Sequence, residues 1–143
     1  IIPIVNENDA VAVDEIKVGD NDTLAAYVAC MIGADLLVLL TNCDGLHTAD
    51  PDHDASARRV SLVEEIDAKI VAMAKGTSWE TRHGGMITKV EAARIAGNSK
   101  IPTVIANALR PDSLERIMAG DDVGTEVFTV VGHLFFNSSR ILF

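Results

Sequence analysis

Cysteine is scarce in this chain: Cys30 and Cys43 are the only two in 143 residues. With no secretory segment in view, two reduced thiols are the expectation over a disulfide. Long apolar runs are missing as well. The longest, near Leu36 to Leu40, falls far short of the roughly 20 apolar residues that a membrane-spanning helix needs. Cations are the minority charge, with 12 Lys and Arg against 21 Asp and Glu and a formal net charge of −9. That average field repels a polyanion, so nucleic acid is not expected as a partner of this segment. A small anion remains compatible, because a few placed cations and backbone N–H groups hold a phosphate locally. No internal repeat or low-complexity stretch occurs, and nothing in the composition points to disorder. An initiator Met is lacking too: the chain opens on Ile1-Ile2-Pro3-Ile4-Val5, which reads as a buried strand, so it is read as a fragment. A cytoplasmic location is the default.

What is present is enough apolar side chain, 48% of residues, to build the core of one domain. After the opening strand, residues 6–20 read as a polar, Gly-containing loop or short ribbon. Asp20, Asn21 and Asp22 then supply an N-cap for a helix in which Leu24, Val28, Met31 and Ile32 recur at helical spacing, closed by Gly33. Leu36 to Leu40 reads as a central parallel strand covered on both faces. Turns follow at Asn42 to Gly45 and at Asp50-Pro51. Helices are expected over Asp67 to Lys75, ended by Gly76, and over Met86 to Ala96. A buried strand is expected at Pro102 to Ala106, a short helix between Pro111 and Gly120, and a β-prone segment at Thr125 to Val131. Strands alternating with helices predict an α/β layer architecture with a mainly parallel sheet. Residues 1–130 form the expected domain part. Residues 131–143 break the pattern and read as an extra edge strand, a linker or a non-native end.

Four polar clusters stand out, three of them at ends of expected strands, where ligands gather in open α/β sheets. Asn6-Glu7-Asn8-Asp9 follows the first strand and alone reads equally well as a turn. Gly19-Asp20-Asn21-Asp22 precedes a helix, and capping accounts for one of its three Asx residues but not for all. Thr41-Asn42-Cys43-Asp44-Gly45 closes the central apolar strand. His83-Gly84-Gly85-Met86-Ile87-Thr88-Lys89 leads a Gly pair into a helix start, a generic seat for phosphate with a cation on the first turn. It is not a Walker A loop, because the Gly-x-x-x-x-Gly-Lys-Ser/Thr spacing is absent.

The order of these clusters carries more than any one of them. Pro-Ile-Val-Asn-Glu-Asn-Asp-Ala-Val-Ala at 3–12, Val-Gly-Asp-Asn-Asp at 18–22, Gly-Ala-Asp-Leu-Leu-Val-Leu-Leu-Thr at 33–41, Asp-Gly-Leu-His-Thr-Ala-Asp-Pro at 44–51 and Gly-Gly-Met-Ile-Thr-Lys at 84–89 together resemble the glutamate 5-kinase family of amino acid kinases. The match runs to about Val127. The resemblance implies a three-layer α/β/α fold whose N-terminal part is missing here. It also implies ATP-dependent phosphorylation of the glutamate side-chain carboxylate, the first step of proline biosynthesis, with Mg²⁺ on the phosphates. Carried over residue by residue, it implies that Asp9 and Asn21 bind glutamate and that Asp22 orients catalytic lysines. Thr41, Asn42, His83, Gly84, Gly85, Met86, Ile87 and Thr88 would contact the nucleotide. Lys89 would neutralise the transferring phosphoryl group, and no resident metal ligands are expected from the chain. The acceptor is already an anion at neutral pH and needs no general base. Feedback by proline and a homo-oligomeric full-length form are further implications.

The chain departs from the family where Asn42 replaces an Asp after the strand-end Thr, and where Arg82-His83 replaces a Gly-Thr pair. The loop at Ser78 to Thr81 also lacks the family's Gly-rich character. Other readings of the same residues are another amino acid kinase, the kinase half of a pyrroline-5-carboxylate synthase, and a non-catalytic relic that binds glutamate or proline. A fragment without the family's first strand, which carries a phosphate-binding Lys, is expected to be inactive alone.

Overall fold

A computed structural model of the chain describes residues 4–5, 20–76, 85–128 and, by backbone alone, 141–142. Among the described residues the elements follow in the order α1 (Asn21–Ile32), β1 (Leu36–Thr41), β2 (Leu62–Val63), α2 (Ala68–Lys75), α3 (Met86–Asn98), β3 (Thr103–Asn107), α4 (Ser113–Ala119), β4 (Gly124–Val127) and β5 (Ile141–Leu142). The strands form one sheet in the order β2-β4-β3-β1-β5. β1 pairs in parallel with β3 and with β5, and β2 in parallel with β4; β3 and β4 are antiparallel. The sheet is mainly parallel, as the alternation of elements implies.

Period-two alternation along the strands divides the core into two layers. Leu37, Leu39, Ile105, Val63 and Val127 pack with Ala26 and Ala29 of α1, Ala74 of α2 and Met86, Val90, Ala92, Ala93 and Ala96 of α3. Leu36, Val38, Val104 and Ala106 point the other way, against Leu114 and Ile117 of α4. The result is a three-layer α/β/α sandwich with α1, α2 and α3 on one face and α4 on the other. Alanines dominate the buried stripes of α1 and α3, and Cys30 Sγ reaches Ile95 O at 3.8 Å between them.

Local chemistry sets the element ends. Asp20, in extended conformation, caps α1 by accepting from Thr23 N at 2.7 Å, and Gly33 ends the helix at φ +60°. Asp67 caps α2 in the same way through Ile70 N at 2.8 Å. Both cysteines are free thiols. No helix among the described residues is long and apolar enough to cross a membrane.

Two expectations are corrected, and one element was not foreseen. Ile4 and Val5, the described part of the expected opening strand, carry no strand and are 95% and 57% exposed. A strand has two edges, and those of β1 are taken by β3 and by β5 from the C-terminal segment. That segment thus supplies an edge strand at Ile141–Leu142. Leu40 is 40% exposed, not covered on both faces, because it lies on the α4 side beyond the residues that α4 packs against. Leu62–Val63 pairs as β2, an element too short to show a period in the sequence.

Candidate active site at the strand ends

Geometry brings the polar clusters to one edge. α1 has 12 residues, a length of about 18 Å at 1.5 Å per residue. β1 has 6 residues, about 20 Å at 3.3 Å each. Only Gly33, Ala34 and Asp35 join them, so the chain reverses and the start of α1 comes level with the C-terminal end of β1. α3 stands in the same relation to β3. The N-termini of α1 and α3 therefore meet where the parallel strands end.

At that meeting point Lys89 Nζ lies 3.0 Å from Asp22 Oδ2, and Thr88 Oγ1 lies 2.7 Å from the same oxygen. Thr88 Oγ1 is also 2.8 Å from Gly85 O, so its one hydroxyl proton is shared between two acceptors. The Lys89 side chain is 11% exposed and that of Asp22 18%. An ammonium on the first turn of α3 faces the positive end of that helix dipole, which disfavours it. The Asp22 carboxylate offsets this, and it sits on the first turn of α1, where a negative charge is favoured. Two of the three Asx residues at the start of α1 are thereby explained: Asp20 caps, and Asp22 crosses to α3.

Thr41 ends β1 beside this pair, with its hydroxyl 3.3 Å from Asn42 Oδ1. Cys43 is buried, its thiol donating toward Gly45 O at 3.6 Å. Burial pushes the Cys43 thiol up, against the lowering effects of the Gly45 and Thr41 contacts and of Lys89 nearby. A neutral thiol is a poor nucleophile, so Cys43 is structural here. Residues 46–48 and 58–60 then form an antiparallel ribbon, with Val60 N donating to Leu46 O at 2.8 Å and Thr48 N to Arg58 O at 2.9 Å. Inside it His47 is buried, its Nδ1 3.1 Å from Gly45 O and its Nε2 3.3 Å from Asp44 Oδ1. Thr125 of β4 fastens both ends: its hydroxyl accepts from Leu46 N at 2.8 Å and donates to Val60 O at 2.6 Å. Arg59 adds an ion pair to Asp122 at 2.8 Å and a bond to Gly124 O.

Of the residues singled out in the sequence, Asp22, Thr88 and Lys89 are in direct contact, and Gly85, Met86 and Ile87 lead into their helix turn. Thr41 and Asn42 lie at the adjoining strand end. Asn21 is exposed at the first position of α1. Asp9, His83 and Gly84 lie outside the described residues. The ribbon and its fastening by Thr125 and Arg59 carry no sequence period and were not legible. Asn107 was not singled out either; the expected strand stopped at Ala106, one residue short of the observed end of β3.

An open α/β sandwich with a buried Lys–Asp pair between two helix starts at its strand ends has the layout of the ligand-binding α/β proteins, whose ligands gather at that edge. The model of the amino acid kinase family matches residues 1–107, and the chain belongs to that family. It is 52% identical over 113 residues to a glutamate 5-kinase of Streptococcus pneumoniae, covering 79% of this chain and 31% of that protein. It is 53% identical over 125 residues to a glutamate 5-kinase of Carboxydothermus hydrogenoformans, covering 87% of this chain and 33% of that one. The chain thus spans about a third of the length of these curated relatives. Among solved structures, the UMP kinase of Bacillus anthracis superposes with a TM-score of 0.61 at 19% identity, over 86% of this chain and 46% of that one. That likeness speaks for the fold.

Proposed function

We propose that this chain is part of a glutamate kinase, which transfers the γ-phosphoryl group of ATP to the side-chain carboxylate of L-glutamate. The product is L-glutamyl 5-phosphate, and the step opens proline biosynthesis. The observation that carries the reading is the Asp22–Thr88–Lys89 cluster at the ends of β1 and β3. Identity above 50% to proteins named glutamate 5-kinase supports the choice of substrate.

The chemistry asks for positioning and charge. A glutamate carboxylate oxygen attacks the γ-phosphorus, the bond to the β–γ bridging oxygen breaks, and ADP leaves with that electron pair. The acceptor is ionised at neutral pH, so no base is required. Lys89 neutralises charge on the phosphoryl oxygens in the transition state. Asp22 and Thr88 fix its position, and Thr41, Asn42 and the Gly85–Lys89 turn bind the nucleotide, joined by His83 and Gly84. Asp9 and Asn21 hold glutamate. Mg²⁺ would ride on the nucleotide phosphates and neutralise charge there. Magnesium in kinases commonly takes most of its ligands from phosphate and water. The reading extends to residues 1–130 as the kinase-domain part with 131–143 as a tail, to a cytoplasmic homo-oligomer, and to proline as feedback inhibitor.

The test is Lys89→Ala in a protein built out to the length of the glutamate 5-kinases with these residues in place. Loss of a major electrostatic stabiliser lowers kcat on the order of 10²-fold or more, with the glutamate KM moving far less. Trapping glutamyl phosphate as its hydroxamate reads both constants. Unchanged kinetics would retire Lys89 from the mechanism.

A further inference from the structure

β1 and β3 run parallel with Thr41 and Asn107 as Cα partners, and Ala108 N donates to Thr41 O at 2.7 Å. Leu37, Leu39 and Ile105 face the α1–α3 layer. By strand alternation Thr41 and Asn107 face the same layer, side by side at the edge where Lys89 sits. Asn107 is half-buried. Its Oδ1 accepts from Leu109 N at 2.7 Å, an Asx turn that carries the chain away from the sheet, and its carbonyl accepts from Ser113 Oγ at 2.5 Å. Its Nδ2, with two N–H donors, makes no hydrogen bond to any described residue. The turn therefore uses one half of the amide and leaves the other half over the strand ends. An Asp forms the same turn equally well. The turn thus accounts for the oxygen and leaves the nitrogen without a structural use.

We infer that Asn107 is a nucleotide-binding residue, its Nδ2 donating to an acceptor on the purine or ribose of ATP. This rests on the nucleotide reading of the Thr41 edge and adds a residue that reading does not contain. The base and ribose are favoured over the phosphates by placement: the cation that serves the phosphoryl groups belongs to α3, whereas Asn107 and Thr41 share the strand-end floor. Purine ring nitrogens and ribose oxygens are acceptors that a neutral amide donor reads without charge.

Two variants separate binding from folding. Asn107→Asp keeps the turn acceptor and removes the donor, with an added charge. Asn107→Ser keeps a weaker turn acceptor, removes the donor and adds no charge. Equilibrium binding of ATP and of ADP to the protein built out to the length of the glutamate 5-kinases is followed by displacement of a fluorescent ATP analogue, with urea unfolding midpoints in parallel. Loss of one neutral hydrogen bond predicts affinity about three- to tenfold weaker in both variants. The loss is equal for ATP and ADP, and the Asn107→Asp midpoint stays at the wild-type value. Wild-type affinity in both variants overturns the inference and leaves the nucleotide reading standing. So does a loss confined to Asn107→Asp that grows with phosphate count, which is charge repulsion alone. A wild-type chain that binds neither nucleotide overturns the nucleotide reading and the role of Asn107 with it.

Discussion

Asp22 accepts from both Thr88 and Lys89 through one oxygen, and its position decides what Lys89 can do. An unpaired ammonium, 11% exposed at a helix start, is held against desolvation and against the helix dipole at once. Asp22→Asn keeps the shape and removes the charge, and the expected cost is about 1.5–3 kcal/mol, the range for a charge-assisted hydrogen bond. Adding Lys89→Met removes the stranded cation, so the double variant loses less than the sum of the two single changes. Urea unfolding of the four proteins measures this coupling. Strict additivity would mean that the pair makes no net contribution to folding. Asp22 was legible as a candidate because three Asx residues cluster at the start of α1 and one suffices for a cap. Its pairing with a catalytic lysine was implied only by the family resemblance, since 66 or 67 positions separate the contacting residues and no local rule spans that distance.

Among the elements, the ribbon after β1 depends on a glycine that sequence reading treats as an ordinary turn residue. Gly45 has φ +135°, and a Cβ placed there would lie 2.3 Å from Thr125 Oγ1 and 3.0 Å from Thr125 N. The Thr125 hydroxyl is the group that bonds both Leu46 N and Val60 O. Gly45→Ala therefore strains the backbone and displaces two buried hydrogen bonds together, with an expected loss of about 2–4 kcal/mol. Gly33 gives the contrast: its φ is +60° and nothing lies within 4 Å of a Cβ. Gly33→Ala is expected to cost about 1–2 kcal/mol, the left-handed penalty alone. Thermal and urea unfolding of both variants checks the order, and equal losses would remove the claim that Gly45 is held by contact with β4. Helix ends were readable because caps are local chemistry, as Asp20, Gly33 and Asp67 show. The ribbon was hidden, since its partners are a β4 hydroxyl and the Arg59–Asp122 pair.

For the molecule as a whole, proton linkage is tied to the β2–β4 side of the sheet. Glu126 is half-buried between Leu62 and Val104 in register, and burial, then the nearby Asp122, raises its carboxyl above the ordinary value. A carboxyl raised on folding binds a proton more readily in the folded state. It favours folding at low pH, and that contribution is lost as pH rises from the ordinary value, near 4.3, through the raised one. Asp122 acts oppositely, because the hydrogen bond from Arg59 lowers it. Glu126→Gln removes the first effect only. The variant is expected to unfold at higher urea than wild type at about pH 7, and the advantage to shrink toward about pH 4 as Glu126 protonates. A variant that is less stable at neutral pH would show that the Glu126 charge is compensated in the fold.

What the sequence by itself determined is whatever depends on neighbours along the chain. Helical spacing and Asx and Gly caps defined α1, α2 and α3, and apolar runs defined β1 and β3. The ordered motifs were enough to point to the amino acid kinase family, whose model covers residues 1–107. Tertiary structure alone decided which strand completes each edge. It set Ile141–Leu142 beside β1 and turned β4 antiparallel to β3. It also chose which of three Asx residues meets Lys89 and placed Asn107 beside Thr41. The physical reason is that hydrogen-bonding edges and buried charges are satisfied by whatever group arrives in space. Which group arrives depends on the packing of whole layers, and no window of sequence contains that information.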